Sequence, residues 1–218
     1  MLRLAIFDLD GTLKQARDPY VYLHTRLGTL EASHAFFADG LAGKITYADW
    51  LRLDASLWKG IPVATIQAHF RENPYLPGAV ETVRALKARG VKLALVSTGI
   101  QIHADMVAGE LGFDHVVANI IFARDGVISG ETLVGVPEGG KGEIADGLMA
   151  KFGTLPEDTL ALGDTRSDAD MFQRAGVSIA VCPNHDRLRQ CATLVLEEPD
   201  LTPIIPWLAA RGLLPAEV

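Results

Sequence analysis

Cysteine is scarce in this 218-residue chain, which carries two, Cys182 and Cys191. No metal-ligand partners flank them at useful spacing, so they read as buried apolar residues in a protein of the reducing cytoplasm. Clustered positive charge is also missing. The net charge is −7 and no Lys/Arg run stands out, so neither nucleic acid nor an anionic membrane has an electrostatic footprint. No apolar stretch reaches the roughly 18–20 residues that cross a bilayer. The chain opens on a strand rather than on the layout of a signal peptide. Repeats and low-complexity tracts are lacking. The histidines (His24, His34, His69, His103, His115 and His185) are scattered without a ligand pattern, and none is assigned a role. What remains is ordinary globular material, 49% hydrophobic and 22% charged, enough for one generous domain or a domain plus an insert.

Against that background Asp8 and Asp10 stand out. The apolar run Leu2–Phe7, broken only by Arg3, reads as a strand buried on both faces. Carboxylates at i and i+2 on such a strand point the same way, and Gly11 then permits a sharp turn. Two like charges at a strand end are costly unless a cation or a proton is used there. A plain acidic turn after a strand is the alternative.

Residues 15–75 carry helical periodicity, with helices expected over Tyr20–Leu30, Ser33–Leu41, Thr46–Leu57 and Pro62–Phe70. Thr46 suits an N-cap, and Gly43 and Gly60 suit stops. The block holds all the tyrosines along with Trp50 and Trp58, and a small helical module filling its own core accounts for most of these rings.

From Pro77 the chain alternates. Helices are expected from Pro77 to Arg89 and over Gln101–Leu111, Lys141–Phe152, Asp168–Ala175 and Thr202–Ala210. Strands are expected over Val91–Val96, His115–Ala118, Thr159–Leu162, Ser178–Val181 and Thr193–Leu196, with a hairpin over Ile120–Glu131 turning at Asp125-Gly126. Such alternation implies βαβ units and a doubly wound parallel sheet. The expected organisation is a core of residues 1–14 and 76–218, with a helical cap of residues 15–75 inserted after the first strand.

Ligands of such a sheet bind beyond the carboxyl ends of its strands, near the point where strand order reverses. The first strand delivers Asp8 and Asp10 there. The second delivers Ser97-Thr98-Gly99, hydroxyls and a glycine leading into a helix that can hold an anion. The Thr159 strand delivers Asp164 and Asp168, and Lys141 opens a helix after Gly139-Gly140. Taken singly, Ser97 and Thr98 are helix caps, Asp168 is a charge favoured by the helix dipole, and Lys141 is a surface lysine. Taken together, four carboxylates, hydroxyls and a lysine at one sheet edge suit Mg²⁺ and a phosphoryl group in transfer.

These motifs resemble the haloacid dehalogenase-like superfamily: Asp-x-Asp-Gly-Thr at 8–12, Ser97, Lys141, and Gly-Asp-x-x-x-Asp at 163–168. Leu95–Gly99, Asp125-Gly126, Lys141–Ile144 and Asp168–Phe172 look like its phosphoserine phosphatase-like branch. The resemblance implies a Mg²⁺-dependent hydrolase of small phosphate esters with a helical cap. It implies that Asp8 is the nucleophile and that Asp10 is the general acid and base. Ser97, with Thr98 and Gly99, would bind phosphate, and Lys141 would neutralise the nucleophile and the transferring group. Asp8, Asp164 and the Asp10 carbonyl would hold the metal, with Asp168 in its outer shell or orienting Lys141.

The cap departs from that branch. The glutamate that faces a phosphoserine amine is Arg17 here, and the arginine that meets its carboxylate aligns to Asp54, with Arg52 nearby. Reversed charges imply a different small ester, one with an anionic group near Arg17, unless Arg17 and Asp54 pair with each other or with solvent. Rival readings are weaker. Gly135–Lys141 fits a P-loop, but Gly142 stands where a Ser or Thr belongs. A phosphonate hydrolase needs a Schiff-base lysine, and nothing singles out Lys14, Lys44 or Lys59. A phosphomutase on the same fold and a non-catalytic phosphate- or nucleotide-binding protein remain alternatives. Oligomeric state is not legible.

Overall fold

The computed structural model describes residues 1–216. Its centre is β1 (Leu4–Phe7), every residue of which is buried. The chain then forms four helices: α1 (Pro19–Leu27), α2 (Leu30–Leu41), α3 (Tyr47–Leu57) and α4 (Val63–Arg71). Asp18 caps α1 by accepting from the Tyr20 and Val21 amides, and the Thr46 hydroxyl caps α3, as expected for these residue types. Next come α5 (Ala79–Lys87), β2 (Lys92–Ile100), α6 (Gln101–Leu111), β3 (His115–Arg124) and β4 (Val127–Leu133). The last part holds α7 (Lys141–Phe152), β5 (Thr159–Gly163), α8 (Ala169–Phe172), β6 (Val177–Val181), α9 (Asp186–Cys191), β7 (Leu194–Leu196) and α10 (Ile204–Ala209).

The sheet runs β4-β3-β2-β1-β5-β6-β7 and is parallel apart from the β3–β4 pair. Strand periodicity distributes its side chains over two faces. Ala5 and Phe7 join Val83, Leu86, Val107 and Ile204 under α5, α6 and α10. Leu4 and Ile6 join Ala145, Leu148, Met171 and Leu188 under α7, α8 and α9. Helices on both faces explain the unbroken hydrophobic runs of the parallel strands. Order reverses at β1, which pairs with β2 on one side and β5 on the other, so Asp8 and Asp10 emerge at the switch point.

Three expectations need correction. The expected short strand and separate hairpin are one long strand: β3 pairs with β2 through its first half and with β4 through its second. The turn falls where expected, with Asp125 and Gly126 both at positive φ, the geometry of a tight hairpin turn. The cap does not fill its own core. Leu23, Leu51, Trp58, Ile66 and Phe70 share one cluster with Ile100, Ile121 and Ile128 from β2, β3 and β4. Four short helices bury too little surface alone and borrow the sheet's edge. Backbone bonds reinforce this union, from Gly60 to the Ile128 carbonyl, Ile128 to the Ile61 carbonyl and Val63 to the Gly126 carbonyl. Finally, Cys182 and Cys191 are free and half-buried rather than core residues. Among the described residues no helix is long and apolar enough to cross a membrane.

Candidate active site

Asp8 follows β1 directly, and the chain reverses at Gly11, whose φ of +82° is the left-handed conformation glycine supplies. A Cβ on Gly11 would lie 2.2 Å from Asp164 Oδ2, so the turn also needs the missing side chain to let Asp164 approach. In β2 the register against β3 shifts between Val96 and Ile100, a bulge that turns Ser97 towards the switch point.

Side chains from the separate motifs meet at this edge. Lys141 Nζ lies 2.6 Å from Asp8 Oδ1 and 2.6 Å from Asp168 Oδ1, all three groups buried. Asp168 Oδ2 accepts from the Asp164 amide (3.1 Å), the Thr165 amide (2.9 Å) and the Thr165 hydroxyl (3.1 Å). Both oxygens of Asp168 are therefore committed, and its evident work is to hold Lys141 and the Asp164 loop. The Thr12 hydroxyl stands 3.2 Å from Asp8 Oδ2 and 3.4 Å from Asp164 Oδ1. The Asp10 carboxylate has neighbours of its own. Its Oδ2 accepts from Ser97 Oγ at 3.2 Å, and its Oδ1 lies 3.2 Å from His103 Nδ1. The strand ends at Phe7, and beyond it the two carboxylates find separate partners. The Gly99 amide donates to Ser97 Oγ at 2.8 Å and so orients that hydroxyl.

Too many carboxylates surround one lysine. Burial pushes the Asp8 carboxyl up to about 7; Lys141 opposes this, while Asp168 and Asp10 add to it. Burial, followed by Asp8 and Asp168, holds Asp164 well above the carboxylate range against Arg17 and Lys141. Burial pulls Lys141 down, but Asp168 and Asp8 more than offset it and keep it protonated. Oxygens of Asp8, Asp164 and Asp168 lie within 4.8 Å of one another. Asp164 Oδ2 is buried without a hydrogen bond, with Arg17 Nε 3.7 Å away. A hard divalent cation would relieve this charge, and the oxygen donors fit Mg²⁺.

Above these groups lies a cavity of about 220 Å³ between core and cap, reached by Asp8, Asp10, Ser97, Thr98 and Gly99 from below. Arg17 and Asp54 both line it and do not pair with each other. Arg17 donates to the Cys182 carbonyl and faces Asp164. Asp54 is buried and meets His24 Nε2 at 3.1 Å.

Two sets of residues escaped the sequence. His24 and His103 are buried against Asp54 and Asp10, contacts made between distant parts of the chain. Asn119 Nδ2 reaches the Tyr47 hydroxyl (2.7 Å), the Thr98 carbonyl (2.7 Å) and the Tyr20 hydroxyl (3.4 Å), tying cap to core over the site. The tyrosines of the insert offered a partial signal, since a ring with a polar tip suits such a junction.

A family model for haloacid dehalogenase-like hydrolases matches residues 5–173, the span from β1 to just past α8. The chain belongs to the haloacid dehalogenase-like hydrolases. Within the family it is similar to the phosphoserine phosphatase of Methanocaldococcus jannaschii, with 31% identity over 94% of this chain and 97% of that one. It is also similar to that of Idiomarina loihiensis, with 32% identity over 81% and 80%. Among solved structures it resembles a substrate-bound phosphoserine phosphatase complex, at a TM-score of 0.80 and 30% identity over 95% of this chain and 98% of that one. This hydrolase is accordingly a phosphoric monoester hydrolase by kinship.

Proposed function

We propose that this hydrolase is a Mg²⁺-dependent phosphatase that splits a small phosphomonoester through an aspartyl phosphate on Asp8, with a preferred substrate other than phosphoserine. The observation that carries this reading is the Lys141 ammonium held 2.6 Å from Asp8 at the foot of the cavity. Asp8 attacks phosphorus, forming the Asp8 O–P bond as the bond to the ester oxygen breaks. Asp10 gives its proton to the leaving alkoxide. It then takes a proton from the water that attacks phosphorus and releases inorganic phosphate, which restores Asp8. Ser97 binds phosphate oxygens, and Lys141 offsets charge on the nucleophile and the transferring group. Asp8, Asp164 and the Asp10 carbonyl would hold Mg²⁺, which would supply positive charge to offset the charge of the phosphoryl group. Residues 15–75 act as the specificity cap over a core of residues 1–14 and 76–218, in a reducing cytoplasm that suits the two free thiols.

The substrate difference is supported by Asp54, a buried carboxylate where a phosphoserine carboxylate would need a cation. It is also supported by Arg17, whose charge is already engaged by Asp164 and the Cys182 carbonyl. The test is phosphate release from a panel of phosphomonoesters, with Mg²⁺ and with chelator, for wild type and Asp8→Asn. Mg²⁺-dependent release that disappears in Asp8→Asn is expected. Activity persisting in a pure Asp8→Asn sample overturns the mechanism, and phosphoserine turnover equal to that of the best ester overturns the substrate claim.

A further inference from the structure

Three donors converge on the Thr98 carbonyl oxygen, one residue beyond Ser97. They are the Tyr47 hydroxyl at 3.1 Å, the Tyr20 hydroxyl at 3.2 Å and Asn119 Nδ2 at 2.7 Å. Tyr20 lies in the first turn of α1, Tyr47 opens α3 and Asn119 stands in β3. The direction of each bond follows from its partners. Asn119 Oδ1 accepts from the Gly135 and Val136 amides, both at 3.1 Å, so Nδ2 is the end that faces Thr98. Nδ2 can only donate, so the Tyr47 oxygen accepts from it at 2.7 Å and gives its own proton to the carbonyl. Burial holds both phenols above their usual ionisation range, and each keeps that proton.

A carbonyl oxygen has two lone pairs, and one or two donors satisfy it. Three donors, two of them brought by cap helices, hold it in place. The peptide unit is planar, so a fixed Thr98 carbonyl also fixes the Gly99 N–H on its far side. That amide donates to Ser97 Oγ at 2.8 Å. The Ser97 proton is thereby left to point at Asp10 Oδ2, 3.2 Å away at the foot of the cavity. Bonds in such a chain polarise one another, so donors on the carbonyl strengthen the Gly99 amide as a donor. The turn has little slack. A Cβ on Gly99 would lie 2.5 Å from Asp10 Oδ2 and 2.8 Å from Pro19 Cγ, at the head of α1.

We propose that Tyr20 and Tyr47 are positioning residues for the transferring phosphoryl group: through the Thr98 carbonyl they fix the turn 97–99, so that the grip of Ser97 on phosphate depends on how α1 and α3 are seated. This rests on the phosphatase reading above and deepens it. The probe is orthovanadate, which mimics the phosphoryl group and carries no alcohol for the cap to contact. Its inhibition constant is measured with Mg²⁺ against p-nitrophenyl phosphate turnover, in wild type, Tyr47→Phe, Tyr20→Phe and the double variant. Tyr22→Phe is the control, because that hydroxyl donates to the His69 carbonyl inside the cap. Phenylalanine keeps each ring and removes only the donor. Inhibition is expected to weaken about threefold to tenfold in Tyr47→Phe, the scale of one lost hydrogen bond, and further in the double variant, with Tyr22→Phe unchanged. Constants unchanged in both single variants overturn the inference, as does an equal weakening in Tyr22→Phe. Wild type that hydrolyses the aryl ester, with tyrosine variants that bind vanadate equally well, sinks this inference alone. Wild type that turns over neither this ester nor the phosphomonoester panel removes the phosphatase reading and this one with it.

Discussion

The imidazole of His103 stands 3.2 Å from the carboxylate of Asp10, Nδ1 to Oδ1, and stacks on Phe70 with ring centres 4.2 Å apart. Both groups are buried, so the ring limits where the Asp10 carboxylate can turn. If Asp10 protonates the leaving oxygen, His103→Phe should cost about tenfold in kcat on alkyl phosphates. It should cost much less on p-nitrophenyl phosphate, whose leaving group needs no proton. Equal losses on both would reduce His103 to packing.

Lys141 balances Asp8 and Asp168 across 133 and 27 positions of chain. Lys141→Met should lower kcat by about 10²–10³-fold, the scale of losing one preorganised charge at a transferring group. It should also lower metal-free stability by about 3–5 kcal/mol, because two buried carboxylates lose their partner. Urea melts in chelator measure the second effect, and an unchanged midpoint would contradict it.

The carboxyl cluster makes stability depend on pH in a definite direction. Asp8 rises from 3.8 to about 7 on folding, so the metal-free native state binds the extra proton. Its contribution is fully present below the unfolded value and is lost as pH rises through about 7. Asp164, raised in the same direction, adds to the loss. Metal-free Tm should therefore fall between pH 4 and pH 8, and Mg²⁺ should stabilise more at the upper end, where its ligands are free of protons. Thermal melts with Mg²⁺ and with chelator test this, and a Mg²⁺ shift that shrinks with rising pH would refute it.

Gly11→Ala places a methyl 2.2 Å from Asp164 Oδ2 at a φ of +82°. The left-handed backbone alone costs about 1–2 kcal/mol. Displacing Asp164 should weaken Mg²⁺ binding about 10–100-fold, the effect of disturbing a metal ligand's support. Calorimetric Mg²⁺ titration reads this directly, and an unchanged affinity would show that Asp164 can yield.

Ile128→Ala removes a β4 side chain from the cluster that cap and sheet share. The expected cost is about 2–5 kcal/mol in a urea melt. Amide exchange should quicken in α3, which lies against β4. Exchange unchanged in α3 would mean that the cap holds without β4.

The core was legible because its signals are local. Gln101–Leu111 and Lys141–Phe152 carry apolar periodicity between glycine stops, and both helices form over those residues. Gly11, Asp125 and Gly126 announce their turns by residue type. The short helix Asp186–Cys191 was missed because Asp-Arg-Leu-Arg-Gln-Cys has one buried residue and no period to detect. The motif residues at the sheet edge could be listed from the sequence, since Asp8, Asp10 and Asp164 come just after strands, Ser97 lies near the end of one and Lys141 opens a helix. The His24–Asp54 and His103–Asp10 contacts could not, because they join separate elements and nothing near either histidine in sequence marks it. The cap's reliance on β4 was hidden for the same reason: Ile121 and Ile128 look like any hairpin residues until the cap lies on them.

The hairpin holds the cap through amides and carbonyls at Gly60, Ile61, Val63, Gly126 and Ile128. Such bonds are indifferent to which side chains flank them. Substitutions at positions such as 17, 37, 50 and 54 therefore leave these main-chain bonds without a changed partner. The hairpin's share of the attachment lies in main-chain atoms, whereas Arg17, Phe37, Trp50 and Asp54 shape the cavity with their side chains.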